Sequence, residues 1–381
     1  MKKFEQFSLV QRAMTVAGLA PFILVGCAVH QQLPGAAFVP VPPRVSGPGA
    51  TAQAAADATP VSAPVSVPAA VVQPMAPEGL TSTVGALSKN FDGIVGIAVT
   101  SVNDGWIVSA GGDRKLPQQS VSKLWVAMTV LDAVDQGRFS LDDPITITEA
   151  DLTLFHQPVA GLIKDGAYRT TVGALMFRAL TTSDNTANDR LLRHVGGPDV
   201  VRAFIAKKQL GEIRFGPGER LLQSKTAGLE WKPEYSKGNA FSLARAKLPR
   251  GVRLAAFDSY VADPPDGAAP DAIARALARL KKGELLSPAS TSWLLNTMES
   301  SRTGKQRLRG AVPPGWTFGH KTGTGQDLFG HTAGYNDVGI LTAPDGKSYT
   351  VAVMIGDTSR PIPERQDLMQ AVVAAVVANH R

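Results

Sequence analysis

The chain of 381 residues has one cysteine, Cys27, so no disulfide can close within it. Its six histidines are dispersed and never take the His-x-x-x-His spacing of a zinc hydrolase, so no metal or other cofactor is expected. Aromatics are sparse at 6% and are not interleaved with basic residues, which leaves no stacking platform for nucleic acid. The net charge is +7, yet Lys and Arg are scattered among Asp and Glu without a long basic run. No nucleic-acid partner is expected, although affinity for an anionic surface such as a lipid headgroup layer stays open. No apolar run reaches the roughly 20 residues of a membrane-spanning helix, and no repeat of solenoid period is present. The glycines of GTGQDLFG open no helix, which removes the dinucleotide reading.

What is present starts at the N-terminus. Lys2, Lys3 and Arg12 precede AMTVAGLAPFILV, an apolar run of about 13 residues, the length of an export-signal core. It ends in LVGC, which resembles the lipobox of bacterial lipoproteins and implies a signal peptide over 1–26 with lipidation of Cys27. Ala28 follows, where inner-membrane retention usually has Asp, so the expected location is the outer membrane, lipid-anchored and facing the periplasm. Residues 27–78 are rich in Pro, Ala and Val with almost no charge and cannot bury a core. They read as a tether reaching about 40 Å as a coil and on the order of 150 Å extended.

The chain as a whole is 44% hydrophobic and 19% charged, ordinary globular material, and the remaining sequence, 79–381, is enough for one large domain. A first helix is expected over 81–90. GIVGIAVTSV and GWIVSAG then alternate as strands around the turn Asn103-Asp104-Gly105. Near the other end GWTFGHKTG, HTAGYNDVGILTAP and SYTVAVMIG read as three more strands, closed by a helix over 364–379. Helical spacing fills 122–136, 172–179, 186–195 and 270–282. The expected fold class is α+β: a five-stranded antiparallel sheet built from both chain ends, flanked by helices, with an inserted all-helical subdomain. A monomer is expected.

QQSVSKLWVAM holds two serines before a helical lysine. Ser120 lies three residues before Lys123, so both can project from one face of a helical first turn, where developing negative charge is favoured; Ser122 has no such partner. A serine hydroxyl is a weak nucleophile until a base takes its proton, and a neutral lysine can do so. S-x-x-K alone has an ordinary explanation as an N-cap followed by a solvated Lys. Downstream, however, come Ser183-Asp184-Asn185 before a helical run and Lys321-Thr322-Gly323 on an expected edge strand. S-x-x-K, S-D-N and K-T-G in that order form the signature of class A β-lactamases and penicillin-binding proteins. From Leu80 onward the chain resembles that serine-reactive family.

The resemblance implies a general base for the deacylating water on an omega loop. The family interval after the S-D-N serine lands on Glu219, with Gln223 where class A enzymes have Asn. Gln offers the same amide groups on a longer stem and could fix a water beside Glu219. WKPEYS copies the usual W-E-P-E pattern with Lys232 at the base position but stands too late, so Glu219 is preferred and Glu234 kept in reserve. The interval from Glu219 to Lys321 exceeds the family pattern, the surplus forming an enlarged omega region over 224–267. Pro217 occupies the place of an Arg that usually ties this loop to an Asp, so packing of Trp231, Tyr235 and Phe257 is expected to hold it instead. The Arg that commonly binds the substrate carboxylate after K-T-G is also missing, which leaves His331 nearby and Arg365 at a distance.

The implied mechanism is attack by Ser120 on a β-lactam amide or a D-alanyl-type donor, with the Ser120 and Thr324 backbone N–H groups as oxyanion hole. Lys123, or Glu219 through a water, takes the serine proton. Ser183 and Lys321 relay a proton to the leaving nitrogen, Lys321, Thr322, Gly323 and Thr324 receive the substrate, Asn185 orients the acyl side chain and Lys123, and Gln223 assists the water. Two other readings remain open: a D,D-peptidase or esterase acting on peptidoglycan-like or simple ester substrates, and a non-catalytic lipid-tethered wall-binding module.

Overall fold

The computed structural model describes residues 74–381. The signal-peptide reading, Cys27 and nearly all of the tether lie outside the described residues.

In chain order the main elements are α1 (Glu78–Asn90), β1 (Ile94–Ser101), β2 (Ile107–Ala110), α2 (Lys123–Asp135), α3 (Val172–Thr181), α4 (Asn185–His194), α5 (Pro198–Lys207), α6 (Glu219–Thr226), α7 (Ala240–Lys247), α8 (Arg250–Ala262), α9 (Pro270–Lys281), α10 (Pro288–Glu299), β3 (Thr317–Thr324), β4 (Tyr335–Thr342), β5 (Ser348–Asp357) and α11 (Ile362–Ala378). The five strands form one antiparallel sheet in the order β2-β1-β5-β4-β3, so both chain ends build it and β3 is an edge, as expected.

Strand alternation divides the sheet between two cores. Ile97, Val99, Val351, Val353 and Ile355 pack against Leu80 and Val84 of α1 and the Leu368–Val376 stripe of α11. Ala98, Ala352 and Met354 face the other way, toward Ile273 and Leu277 of α9 and the helices beyond. Because helices cover both faces, β1 and β5 are apolar nearly throughout.

Helix α2 is the axis of the helical part: every residue from Lys123 to Ala133 is buried, the signature of a helix enclosed on all sides. Its position fixes Lys123 at the sheet edge of the helical part. The 224–267 region is not a loop held by three aromatics but carries α7 and α8, since AFSLARAK and RGVRLAAFDSYVA each place apolar residues at helical spacing, broken by Pro249. Trp231 and Tyr235 pack with Phe241, whereas Phe257 joins a separate cluster with Leu222, Tyr260 and Leu328. The region then returns through Gly267–Ala268, which pairs with Leu116–Pro117 just before the turn that carries Ser120.

Candidate active site

Ser120 sits in a 3-10 turn, Gln119–Ser122, that runs into α2. One turn later Lys123 is fully buried, and its Nζ stands 2.7 Å from Ser120 Oγ, 2.8 Å from Asn185 Oδ1 and 2.5 Å from Glu219 Oε1. Ser122 turns away, its hydroxyl donating to the Gln119 carbonyl at 2.7 Å. Of the two serines, it is Ser120 that meets Lys123.

The nucleophile loop is held from several directions. Gln119 has a left-handed φ of 53°, sparsely populated for a residue with a side chain, and its N–H donates to Asp266 Oδ2 at 2.8 Å. Its side-chain Nε2 donates to the Tyr260 hydroxyl at 2.6 Å, which in turn donates to Asp266 at 3.3 Å. Gln119 Oε1 accepts from Gln223 Nε2 at 2.9 Å, and the same nitrogen stands 3.3 Å from Glu219 Oε2. The helical insertion thus buttresses the serine through Tyr260 and Asp266. Burial is the main cause that pushes the Asp266 carboxyl up to about 6.

The S-D-N segment divides its labour. Asp184 caps α4, accepting from the N–H of Ala187 at 2.8 Å and of Val159 at 2.6 Å, while Ser183 (φ 60°) and Asn185 line the cleft on either side of it. On β3, Lys321 Nζ donates to Ser183 Oγ at 2.9 Å. Burial, then the nearby Lys123 and Arg307 charges, hold the Lys321 ammonium well below the usual lysine range. Thr322 exchanges a 2.8 Å hydrogen bond with Thr303. Gly323 is a steric requirement: a Cβ there would lie 2.3 Å from the Gln118 carbonyl, so only glycine lets β3 approach the nucleophile loop. Thr324 ends the strand beside a cleft of about 480 Å³ that is also lined by Ser120, Ser183, Asn185 and Gln223. Ser120, Ser183, Asn185, Gln223, Thr322 and Thr324 thus line this cleft, Lys123 and Glu219 form a buried ion pair beside Ser120, and Lys321 reaches the cleft through Ser183.

The family model described as "Beta-lactamase enzyme family" matches residues 79–380. The chain belongs to the beta-lactamase enzyme family. It is similar to the beta-lactamase VEB-1 of Pseudomonas aeruginosa, 25% identical over 80% of this chain and 90% of that protein. It is likewise similar to the extended-spectrum beta-lactamase PER-1 of the same organism, 28% identical over 74% of this chain and 80% of that one. Among solved structures, a beta-lactamase from Chitinophaga pinensis superposes with a TM-score of 0.66 at 27% identity, covering 79% of this chain and 99% of that one. The TLA-3 extended-spectrum beta-lactamase gives a TM-score of 0.65 at 26% identity, covering 78% and 96%. The beta-lactamase fold and its class A arrangement of a sheet with a helical insertion are thereby established for this chain.

Within that family frame, three sequence expectations are revised. Glu219 opens α6, and its N–H donates to Asp189 Oδ1 at 2.9 Å. Asp189 Oδ2 also accepts from the N–H of Arg220 at 3.4 Å, so a carboxylate at a helix N-terminus does the tying that Pro217 cannot. Arg220 adds bonds to the Leu152 and Ala150 carbonyls and lies 5.4 Å from the Trp231 ring centroid. Lys232 and Glu234 are exposed and line no part of the cleft, which removes Glu234 as a reserve base.

Neither cation named for the missing carboxylate-binding Arg reaches the cleft. His331 pairs with Asp357 at 3.2 Å and Arg365 lies 5.4 Å over Tyr335, and neither lines the cleft. Arg307 does: it donates to Thr324 Oγ1 at 2.6 Å and to the Gly323 and Asn336 carbonyls at 2.8 and 2.6 Å, with its guanidinium 3.8 Å over the Tyr335 ring. Sequence reasoning missed Arg307, Asp189 and the Gln119–Tyr260–Asp266 chain. Arg307 lies in RTGKQRLRG, whose two other arginines gave no reason to single it out.

Proposed function

We propose that this serine hydrolase opens β-lactams through an acyl-enzyme on Ser120, with Glu219 as deacylation base. The observation that carries the reading is the position of one nitrogen, Lys123 Nζ, within 2.8 Å of Ser120 Oγ, Asn185 Oδ1 and Glu219 Oε1.

An ammonium has three N–H donors and no lone pair, and here it meets three acceptors. Lys123 can accept the serine proton only after giving one up, and Glu219 at 2.5 Å is the adjacent acceptor. Transfer to Glu219 frees the amine, which takes the Ser120 proton as Oγ attacks the lactam carbon. The tetrahedral oxyanion is received by the N–H groups of Ser120 and Thr324, each such donor contributing about 3 to 4 kcal/mol. The C–N bond breaks as Ser183 passes its proton to the leaving nitrogen; Lys321, donating to Ser183 at 2.9 Å, replaces it and is recharged from solvent, while Glu219 releases to solvent the proton it took from Lys123. The Glu219 carboxylate then accepts a proton from water as water attacks the ester, Ser120 Oγ leaves with a proton from the Lys123 ammonium, and Glu219 returns its proton to Lys123. The ring carboxylate lies against Lys321, Thr322 and Thr324, with Arg307 behind Thr324.

The enclosing proposal for the chain is a lipid anchor at Cys27 and a periplasm-facing position on the outer membrane, which LVGC, the following Ala28 and the Pro/Ala-rich stretch support. Incubation with a fluorescent penicillin and intact-mass analysis test the catalytic part. One adduct on the peptide holding Ser120, decaying within the time of turnover, is expected. An adduct on Ser122, or none with any β-lactam, overturns the reading; a long-lived adduct makes the protein a penicillin-binding protein.

A further inference from the structure

Helices α7 and α8 belong to the sequence surplus over the family interval, and they contribute to the cleft a cation that the mechanism does not use. Arg245 of α7 lines the same cavity as Ser120, Gln223 and Asp327. Its Nε and Nη2 are buried and find no acceptor among the described residues, and Nε of Arg253 on α8 is in the same condition. The charged groups acting on Arg245 are Arg253, which together with burial lowers the guanidinium pKa, and Asp327, which opposes that shift without forming an ion pair. Asp327 is exposed and takes a hydrogen bond from the Thr332 hydroxyl. Arg253 and Arg250 lie 5.0 and 4.5 Å from the ring centroid of Phe329, whose face accommodates both cations.

The other cations of the cleft are committed. Lys123 meets three acceptors, Lys321 donates to Ser183 and to the Thr322 carbonyl, and Arg307 donates to two carbonyls and Thr324. Arg245 alone among the cleft-lining arginines has buried donors left over, and an unmet buried donor is costly until a ligand supplies the acceptor. A guanidinium fork matches a carboxylate better than any neutral acceptor. Its place in the cleft also matters. Arg245 comes from α7 and feels the charge of Asp327, whose neighbour Gln326 donates from Nε2 to the Gln223 carbonyl at 2.8 Å. Phe155, which also lines the cleft, stands edge-on to Phe241 of the same α7 at 5.2 Å and adds an apolar surface.

We infer that Arg245 receives an anionic acyl side chain, so that the preferred substrates are β-lactams carrying a second carboxylate, apart from the one held at Lys321. This rests on the acyl-enzyme reading above. The inserted helices then act in specificity as well as in buttressing the nucleophile loop.

The test compares matched substrates. Benzylpenicillin and carbenicillin differ by one side-chain carboxylate, and a glutaryl cephalosporin and its pentanoyl counterpart place that charge further out. The expected result is that Arg245→Gln lowers the carboxylate-to-neutral ratio of kcat/KM by about tenfold in at least one pair, the size of a lost charge-assisted hydrogen bond. Arg245→Lys should recover part of it, Asp327→Asn should move the ratio upward, and added salt should compress it in the parent. Unchanged ratios in both pairs, or an equal loss on all four substrates, overturn the inference. Failure of the acyl-enzyme reading looks different: the parent then forms no Ser120 adduct and turns over none of the four, and the inference falls with it.

Discussion

The amide nitrogen of Gln223 stands 3.3 Å from Oε2 of Glu219, while Oε1 of the same carboxylate holds Lys123 at 2.5 Å. Both oxygens of the proposed base are therefore engaged by protein groups. Gln223 is itself bound at both ends of its amide, to Gln119 and from Gln326 at 3.0 Å. The residue expected to help fix a water thus also links Glu219 to the loop that carries Ser120. Replacing Glu219 by Gln should leave acylation of Ser120 measurable and make the adduct persist, slowing deacylation about 100-fold to 10,000-fold. Glu234→Gln should decay like the parent. Stopped-flow mass spectrometry of adduct decay checks this, and equal decay in the parent and Glu219→Gln would falsify the assignment of the base.

Arg307 and Lys321 should act together on the ring carboxylate. Lys321 is held below the ordinary lysine value by burial and by two neighbouring cations, so its charge disappears as pH rises, earlier than for an exposed lysine. KM for a penicillin should accordingly climb on the alkaline side. Removing one of those cations with Arg307→Gln should raise KM throughout and displace the alkaline limb to higher pH. A limb that stays in place in the variant would disprove the electrostatic coupling.

Asp189 should make stability depend on pH in the sense opposite to an ordinary salt-bridged carboxylate. Burial, then the Glu219 charge, raises its pKa from 3.8 to about 6. Between those values the folded chain holds a proton that the unfolded chain has released, so stability falls as pH rises through the window and the full penalty is present above it. The shift of roughly two units corresponds to about 3 kcal/mol. Asp189→Asn keeps an acceptor for the Glu219 N–H and removes the titration. Urea unfolding at pH 4 and pH 7 should show a smaller loss in the variant than in the parent; an identical loss would show that Asp189 does not carry it.

Lipidation of Cys27 should be visible by metabolic labelling with a palmitate analogue. The parent is expected to carry label and to sediment with the outer membrane, and Cys27→Ser to lose both. Label retained by Cys27→Ser would end the lipoprotein proposal.

The parts that were legible in the sequence are those encoded by spacing within one element. Ser120 and Lys123 share a helical turn, Asp184 caps the helix it precedes, and the strand alternation of β1 and β5 sorts Ile97 from Ala98 and Val353 from Met354. Such relations depend on 3.6- and 2-residue periods that any reader of the chain can count. Glu219 was also within reach, because the family interval carries it even where its Asn partner is replaced.

Contacts between distant segments were decided by tertiary structure. Arg307 reaches Thr324 because the turn that bears it packs back along β3, and Asp189 meets the first N–H groups of α6 because α4 and α6 approach end to side. The bond from Gln119 to Tyr260 joins residues separated by 141 positions, and nothing local in either segment marks the other as its partner. The same holds for Arg245, whose unmet donors arise only once α7 is folded over the cleft. Sequence alone determined which groups can do chemistry, since reactivity belongs to residue type and short-range spacing. Packing decided which charges are neutralised and which are left facing the substrate, since burial and proximity exist only in the folded chain.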